Sequence, residues 1–555
     1  MLLPVYRICM SCYIIAAIGC NQKNMSISGD NKYFNLLHSS INNIGAGDII
    51  YDAGMQPSIQ FSFSSAVDRA SAASAISFKT KQGSSIAFNT SFTNNDSTIV
   101  VNSASTLTDL TNYLVTVSAQ LKAITGAQLK KEASVNFITS IDSSNKFPLI
   151  PDDSLLTLVQ KQTFKYFWDY GHPVSGLARE RSNDAPETVT TGGSGFGIMC
   201  IPAAVNRNFI TRTEGLARMQ KITGFLKNTA QKFHGAFPHW LNGSNGTVIP
   251  FSEKDNGADL VETSYLMAGL LTARQFFSGS SADEINLRKD INELWNNVEW
   301  NWFRQGNQDV LYWHWSPNYN WAMNMPIRGW NECLITYILA ASSSAHGIPK
   351  IVYDEGWAEN GAIIKNTSYY SFTLPLGEAY GGPLFFSHYS FLGINPNGLS
   401  DAYADYQTQT INHTKINYSY CVDNPKKYFG YSNTCWGLTA SDIDDGYTAS
   451  SPTNDVGVIA PTAALSSFPY TPAESMQALK FFYYTLGDKV WGEYGFKDAF
   501  SLHDIWFANS CLAIDEGPIM IMIENYRTGL IWNLLTSCPE IKSGMKMLGF
   551  SAPYL

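Results

Sequence analysis

At 555 residues the chain is too long for a single small core and is expected to divide into two or more domains. Its net charge of −9 excludes the basic face that nucleic acid requires. Charged residues make up only 15% and aromatics 13%, a balance suited to a neutral, bulky, hydroxylated ligand, and beyond the N-terminus no apolar run reaches a membrane-spanning length, so the body is expected to be soluble.

Residues 1–20 read as an export signal. Arg7 is its positive end, an apolar stretch runs from Cys9 to Ile18, and Ala17-Ile-Gly-Cys20 resembles a bacterial lipobox. Lipidation of Cys20 would give an exported bacterial lipoprotein of the periplasm or outer membrane, held to the bilayer by its lipid anchor alone. An ordinary signal peptide cut nearby is the alternative. Asn21-Gln-Lys-Asn24 lacks an acidic run of the kind that marks surface export, which favours the periplasmic face. With Cys9, Cys12 and Cys20 set aside, six cysteines remain, and none forms the CxxC pair of a zinc site. Cys421 and Cys435 could close a short loop as a disulfide or stay as buried thiols.

Residues 21–43, rich in Asn, Ser and Lys, read as a flexible tether. From 44 to 142 short alternating runs follow one another: Ile59-Phe61-Phe63, Ile99-Val-Val101, Tyr113-Val115-Val117 and Val135-Phe137. Polar turn clusters separate them, so a small β-sandwich is expected, similar to bacterial Ig-like modules and acting as a spacer. From about 150 to 555 the texture is helical. Asp152-Asp-Ser154 opens an amphipathic helix, and further helical segments are expected at 212–229, 259–277, 284–303, 331–343, 472–486 and 518–535. Long loops join them, notably 379–470, and loops of that length are usually functional. The expected fold is mostly α: a toroid of paired helices with its ligand cleft at one rim, preceded by the sandwich.

Carboxylates gather at two helix entries. Asp255-Asn-Gly-Ala-Asp259-Leu-Val-Glu262 carries a capping-box pattern in which Asp259 caps and Glu262 answers, a purely structural reading. Asp255 lies in the Asn256-Gly257 turn and has no helical task, so the acids can converge on one point. Glu332 follows Arg328-Gly-Trp-Asn, where an aromatic neighbour supplies the dry surroundings that raise a general acid's pKa. A third cluster is Asp515-Glu516-Gly-Pro518, with Pro518 placed to open a helix; its acids either bind hydroxyls or complement the helix dipole. Trp313-His314-Trp315, Trp321, Trp330, Tyr389, Trp436 and Trp506 are candidates to stack on sugar faces, with Arg179, Glu180 and His239 bonding hydroxyls. Paired acids among such rings point to glycosidic bond cleavage. Thr191-Gly-Gly-Ser-Gly-Phe-Gly197 lacks the Walker lysine and the Rossmann spacing and reads as a tight turn before a helix. No metal-ligand motif and no cofactor signature is present, His234 and His239 being separated by Pro238.

These motifs, together with Phe164-Lys-Tyr-Phe-Trp-Asp169, Arg179-Glu-Arg181, Phe386-Ser-His388-Tyr389, Tyr431-Ser-Asn-Thr-Cys-Trp-Gly-Leu-Thr-Ala440 and Glu524-Asn-Tyr-Arg527, resemble the bacterial glucoamylase-like proteins, which include glycoside hydrolase family 144. The resemblance spans about 150–555. It implies an (α/α)6 toroid and an inverting endo-hydrolase of β-1,2-glucan that releases sophorooligosaccharides, with essential acids at Asp255, Asp259 and Glu332. On that basis Glu332 is the expected acid and Asp259 the expected base, with Asp255 positioning water and Glu262 in reserve. Arg179, Glu180, His239, Trp313, His314, Trp330, His388, Tyr389, Trp436 and Glu516 are the expected substrate contacts. Exo-action on this or another glucan, and glycan binding without catalysis, stay open as alternatives.

Overall fold

A computed structural model describes residues 32–555, so the export signal and Cys20 lie outside the described residues. The chain divides between Ser140 and Ile141 into two compact units.

The first unit is a β-sandwich. Strands β1 (Leu36–Ile41), β2 (Ser58–Phe63), β3 (Ile76–Thr80), β4 (Phe88–Thr93), β5 (Thr98–Ser103), β6 (Asn112–Val117) and β7 (Ala133–Ile138) form its body. One sheet runs in the order β1-β2-β5-β4, with Ile44–Gly45 on the outer edge of β1; the other is β7-β6-β3, all antiparallel. Period-two patterning sets the faces. Ile59, Phe61 and Phe63 of β2 and Tyr113, Val115 and Val117 of β6 point inward, and Tyr113 stacks on Phe137 at 5.6 Å. Residues 33–34 and 36–41, expected in the tether, form strands instead. Phe34 and Ile41 are buried, and β1 pairs with β2, so an apolar residue at each end draws this polar segment into the sheet.

The second unit is helical. Its main elements are α1 (Asp152–Trp168), α2 (Thr191–Asn206), α3 (Arg212–Asn228), α4 (Leu260–Phe276), α5 (Ala282–Asn296), α6 (Leu334–Ser342), α7 (Tyr406–Asp423), α8 (Pro461–Leu465), α9 (Pro472–Lys480), α10 (Ala513–Thr528), α11 (Leu530–Thr536) and α12 (Pro539–Leu548). Helices buried nearly all round (α2, α4, α6, α8, α10) alternate along the chain with helices buried on one face (α1, α3, α5, α7, α9). That alternation is what an inner ring wrapped by an outer ring demands, as in the expected (α/α)6 toroid.

Several boundaries differ from the sequence reading. The glycine run 191–197 is the first half of α2, not a turn. A Cβ on Gly195 would strike the backbone of Tyr265, so the glycines let α2 press against α4. The segment 379–470 contains α7 and α8. α5 stops at Asn296, with a 3-10 turn at Trp300–Arg304 beyond it. α10 begins at Ala513, so Pro518 lies inside it; without an N–H, Pro518 cannot bond the carbonyl of Ile514. Cys421 and Cys435 are buried thiols in this structure. Among the described residues no helix is long and apolar enough to cross a membrane.

Candidate active site

A cavity of about 720 Å3 lies in the helical unit, and carboxylates from three segments line it. Glu262 comes from the first turn of α4, Glu332 from the segment leading into α6, and Glu180 from the loop after α1.

The α4 entry explains how Glu262 reaches the cavity. Asp259 is the N-cap, its Oδ1 accepting from Val261 N at 3.0 Å and Glu262 N at 2.9 Å. The reciprocal half of the capping box is absent, because Asp259 N donates to Phe237 O instead. Glu262 is therefore released from its helical task. Its Oε2 accepts from Gly192 N at 2.6 Å, and a Cβ on Gly192 would stand 2.5 Å from the same oxygen. A glycine at the start of α2 thus lets the backbone grip a carboxylate that side-chain bulk would displace.

Behind Glu262 lies a buried charge cluster. Ala258-Asp259 pairs antiparallel with His314-Trp315, which carries His314 to the acids. His314 Nε2 lies 3.4 Å from Asp255 Oδ2 and 3.7 Å from Asp259 Oδ2, while His239 Nδ1 is 3.2 Å from Asp259 Oδ2. Burial alone would push the His239 imidazole down, but Glu262, Asp259 and Glu180 outweigh it and lift it to about 10. Burial pushes Asp259 up; the His239 hydrogen bond and the two imidazoles outweigh it and hold its carboxyl below the usual range. Burial and the Asp259 charge raise Asp255 to about 7, and its Oδ1 is buried without a hydrogen-bond partner. His239, Asp255 and Asp259 bring ligand-type atoms within 4.8 Å of one another. His239 and Asp259 are hydrogen-bonded to one another within this cluster.

Glu332 lines the same cavity. Its carbonyl accepts from Ser390 Oγ at 2.5 Å and from Tyr265 Oη at 3.4 Å, fixing the backbone. Burial lifts its carboxyl to about 7, and the negative charge of Asp259 adds to the shift. Burial likewise raises Glu262 to about 7, against the pull of His239.

The structure brings together Glu332, Glu262, Glu180, His239, Trp313 and Tyr389 on the cavity wall. Asp259, Asp255 and His314 stand behind it, fully or nearly buried. The remaining expected contacts lie elsewhere. Arg179 turns away, stacking on Tyr170 and donating to Tyr170 O and Pro186 O. Trp330 packs inside against Phe391 and Tyr406, and Trp436 is fully buried with its indole N–H on Glu474 O. His388 bonds Ser467 Oγ at 3.0 Å in the core, where burial depresses it to about 3. Glu516 is buried, its Oε2 unpartnered. Arg181, Trp240, Phe251, Tyr265 and Tyr447 line the cavity and were not among the expected contacts. The motif Arg179-Glu-Arg181 held the signal for Arg181, but a bend at Glu180 breaks the strand alternation, so Glu180 and Arg181 reach the wall and Arg179 does not.

Comparison with known proteins places this geometry. The Glycoamylase family model, which describes glucoamylases, matches residues 324–539, and a bacterial Ig-like domain model matches residues 47–139. The solved endo-β-1,2-glucanase of Chitinophaga pinensis, in complex with sophorotriose and glucose, is 52% identical with a TM-score of 0.72, over 73% of this chain and all of that one. The chain belongs to the glucoamylase-like family of glycoside hydrolases. A solved β-1,2-glucanase of Parabacteroides distasonis is 36% identical over 93% of this chain and 73% of its own length, with a TM-score of 0.71. An exo β-1,2-glucooligosaccharide sophorohydrolase of the same species is 45% identical over 427 residues, and this chain spans 59% of its length. The glucoamylase-like unit of this chain thus carries its carboxylates on the α4 and α6 entries, and an Ig-like sandwich precedes it in sequence.

Proposed function

We propose that this protein hydrolyses β-1,2-glucan with inversion, as an endo-acting enzyme that releases sophorooligosaccharides. The observation that carries the reading is that Glu332 and Glu262 line one cavity from the entries of two different helices, each with a carboxyl lifted to about 7. The kinship to β-1,2-glucanases supports the choice of linkage. Glu332, whose carboxyl is raised by burial with no cation opposing it, protonates the leaving oxygen, and a second carboxylate activates water. We assign the base to Glu262 rather than to Asp259. Both Asp259 oxygens are engaged, one by helix N–H groups and one by His239, and the residue does not reach the cavity. Asp259 and His239 then hold the field around Glu262, with Asp255 behind them. Tyr265, Tyr389, Trp313 and Phe251 offer ring faces to the sugars, and Glu180 and Arg181 meet their hydroxyls.

Exo-release of sophorose is the second reading, favoured by the 45% identical sophorohydrolase. Incubation with linear β-1,2-glucan and sizing of early products separates the two. A ladder of oligosaccharides is expected; sophorose alone from the first time point establishes exo-action, and no new reducing ends overturns hydrolysis altogether. We further propose lipidation at Cys20, expected to appear as palmitate labelling that Cys20→Ala abolishes.

A further inference from the structure

Beside the central cavity lies a second one of about 300 Å3, and the two share Arg181 and Asn183. Trp506 lines this second cavity, and it also lines a further one of about 230 Å3. Trp300, Trp357 and Trp436 are sealed in the core, whereas Trp506 is only half-buried. It belongs to a two-residue strand, Trp506–Phe507, paired with Phe500–Ser501. Ile505, just before it, has φ of 55°. A β-branched residue in the left-handed region is strained, and such strain persists where the surrounding structure over-determines it and function gains from it.

The shared wall is rich in hydrogen-bonding groups. Arg181 Nη1 donates to Asp442 at 3.1 and 3.3 Å, Ser510 Oγ donates to Asp442 Oδ2 at 2.5 Å, and Asp442 N donates to Asp498 Oδ2 at 2.6 Å. The guanidinium is thus fixed from behind by one of its nitrogens. Asn183 Nδ2 donates to Asn509 Oδ1 at 3.1 Å. An indole with amide and guanidinium donors nearby, and with Asp444 on the same wall as an acceptor, matches an uncharged polyhydroxylated ring: apolar face on the aromatic, hydroxyls on the rim.

We propose that the second cavity is a distal subsite for one more glucosyl residue of the glucan chain, with Trp506 as its stacking platform and Arg181 and Asn183 bridging it to the central cavity. The inference rests on the glucan reading above. Its consequence is a preference for chains long enough to span both cavities.

The test titrates a long β-1,2-glucan and a β-1,2-linked trisaccharide calorimetrically into a Glu332→Gln protein, with Trp506 intact, as Trp506→Ala and as Trp506→Phe. The alanine variant is expected to weaken binding of the long chain about tenfold more than that of the trisaccharide, with phenylalanine recovering most of the loss. Equal weakening of both ligands, or of neither, overturns the subsite. Should Trp506→Ala unfold on thermal melting, Asp444→Ala, which alters the second cavity and not the central one, carries the same expectation and the same overturning outcomes. The two readings fail separately: wild-type turnover without a length-dependent Trp506 effect rejects the subsite alone, whereas length-dependent binding without turnover rejects hydrolysis alone.

Discussion

Glu332 and Glu262 reach a similar proton affinity by different routes. Glu332 is raised by burial, with the Asp259 charge adding to it. Glu262 is raised by burial too, while His239 and the Gly192 N–H pull it down. A general acid must hold its proton and a base must have lost one, so with both groups near 7 kcat/KM is expected to trace a narrow bell around neutrality. Glu332→Gln is expected to lower kcat by roughly 10²–10⁴-fold on glucan. The same variant should recover much of its rate on an aryl β-glycoside whose leaving group needs no proton, now without the alkaline limb. Glu262→Gln should gain nothing from that substrate. Equal rescue of both variants would reverse or dissolve the assignment. At this scale the sequence was readable where chemistry is scarce: acids at Asp255, Asp259, Glu262 and Glu332 stood out in an acid-poor, aromatic-rich chain. It was unreadable where direction decides. Trp330 adjoins Asn331 and Glu332 in sequence yet faces Phe391 and Tyr406, and Arg179 rather than Arg181 was taken for the cavity.

Among elements, the contact between α2 and α4 controls the site. Gly192 and Gly195 occupy a helix, where glycine is a poor former, because a side chain at either position would meet α4. Propensity therefore pointed to a turn, and tertiary packing overrode it. α7 escaped notice for a related reason: its buried face carries Gln409, Thr410, His413, Thr414 and Asn417, so no apolar stripe announces it. The capping box was half right, since Asp259 caps α4 but Glu262 answers Gly192 on another helix. Two substitutions separate packing from chemistry. Gly195→Ala drives a methyl into the Tyr265 backbone and is expected to lower the stability of the helical unit by about 1–3 kcal/mol, with kcat little changed per folded molecule. Gly192→Ala pushes directly on the Glu262 carboxylate and the Tyr265 ring, so its loss in kcat should exceed what its melting temperature explains. Circular dichroism melts alongside steady-state rates check both, and a proportional loss in the two variants would remove Gly192 from the catalytic argument.

On the scale of the whole molecule, the helical unit buries carboxyl groups that only partly ionise near neutrality. Burial and the Asp442 charge raise Asp498 to about 7, burial and Asp498 raise Asp515 well above its ordinary value, and burial raises Glu516 as well. With Glu332, Glu262 and Asp255, the folded state retains protons that the unfolded chain has released above about pH 4. The unfolded state then binds fewer protons than the native one, so stability falls as pH climbs from about 4 through 7. His239 acts in the same direction at higher pH: its stabilisation is complete below its unfolded value near 6.5 and is lost as pH passes about 10. Asp259 acts oppositely, its contribution being lost as pH falls below the ordinary aspartate range. The melting temperature followed by the helical circular dichroism signal is therefore expected to be highest on the mildly acidic side and to decline towards pH 8. Asp498→Asn keeps the shape, cannot ionise, and still accepts from Asp442 N, so it should flatten that decline by an amount on the order of a few kcal/mol between pH 5 and 8. A slope unchanged in the variant would mean that Asp498 is ionised at neutral pH, with Arg181 neutralising the Asp442–Asp498 pair in place of a retained proton.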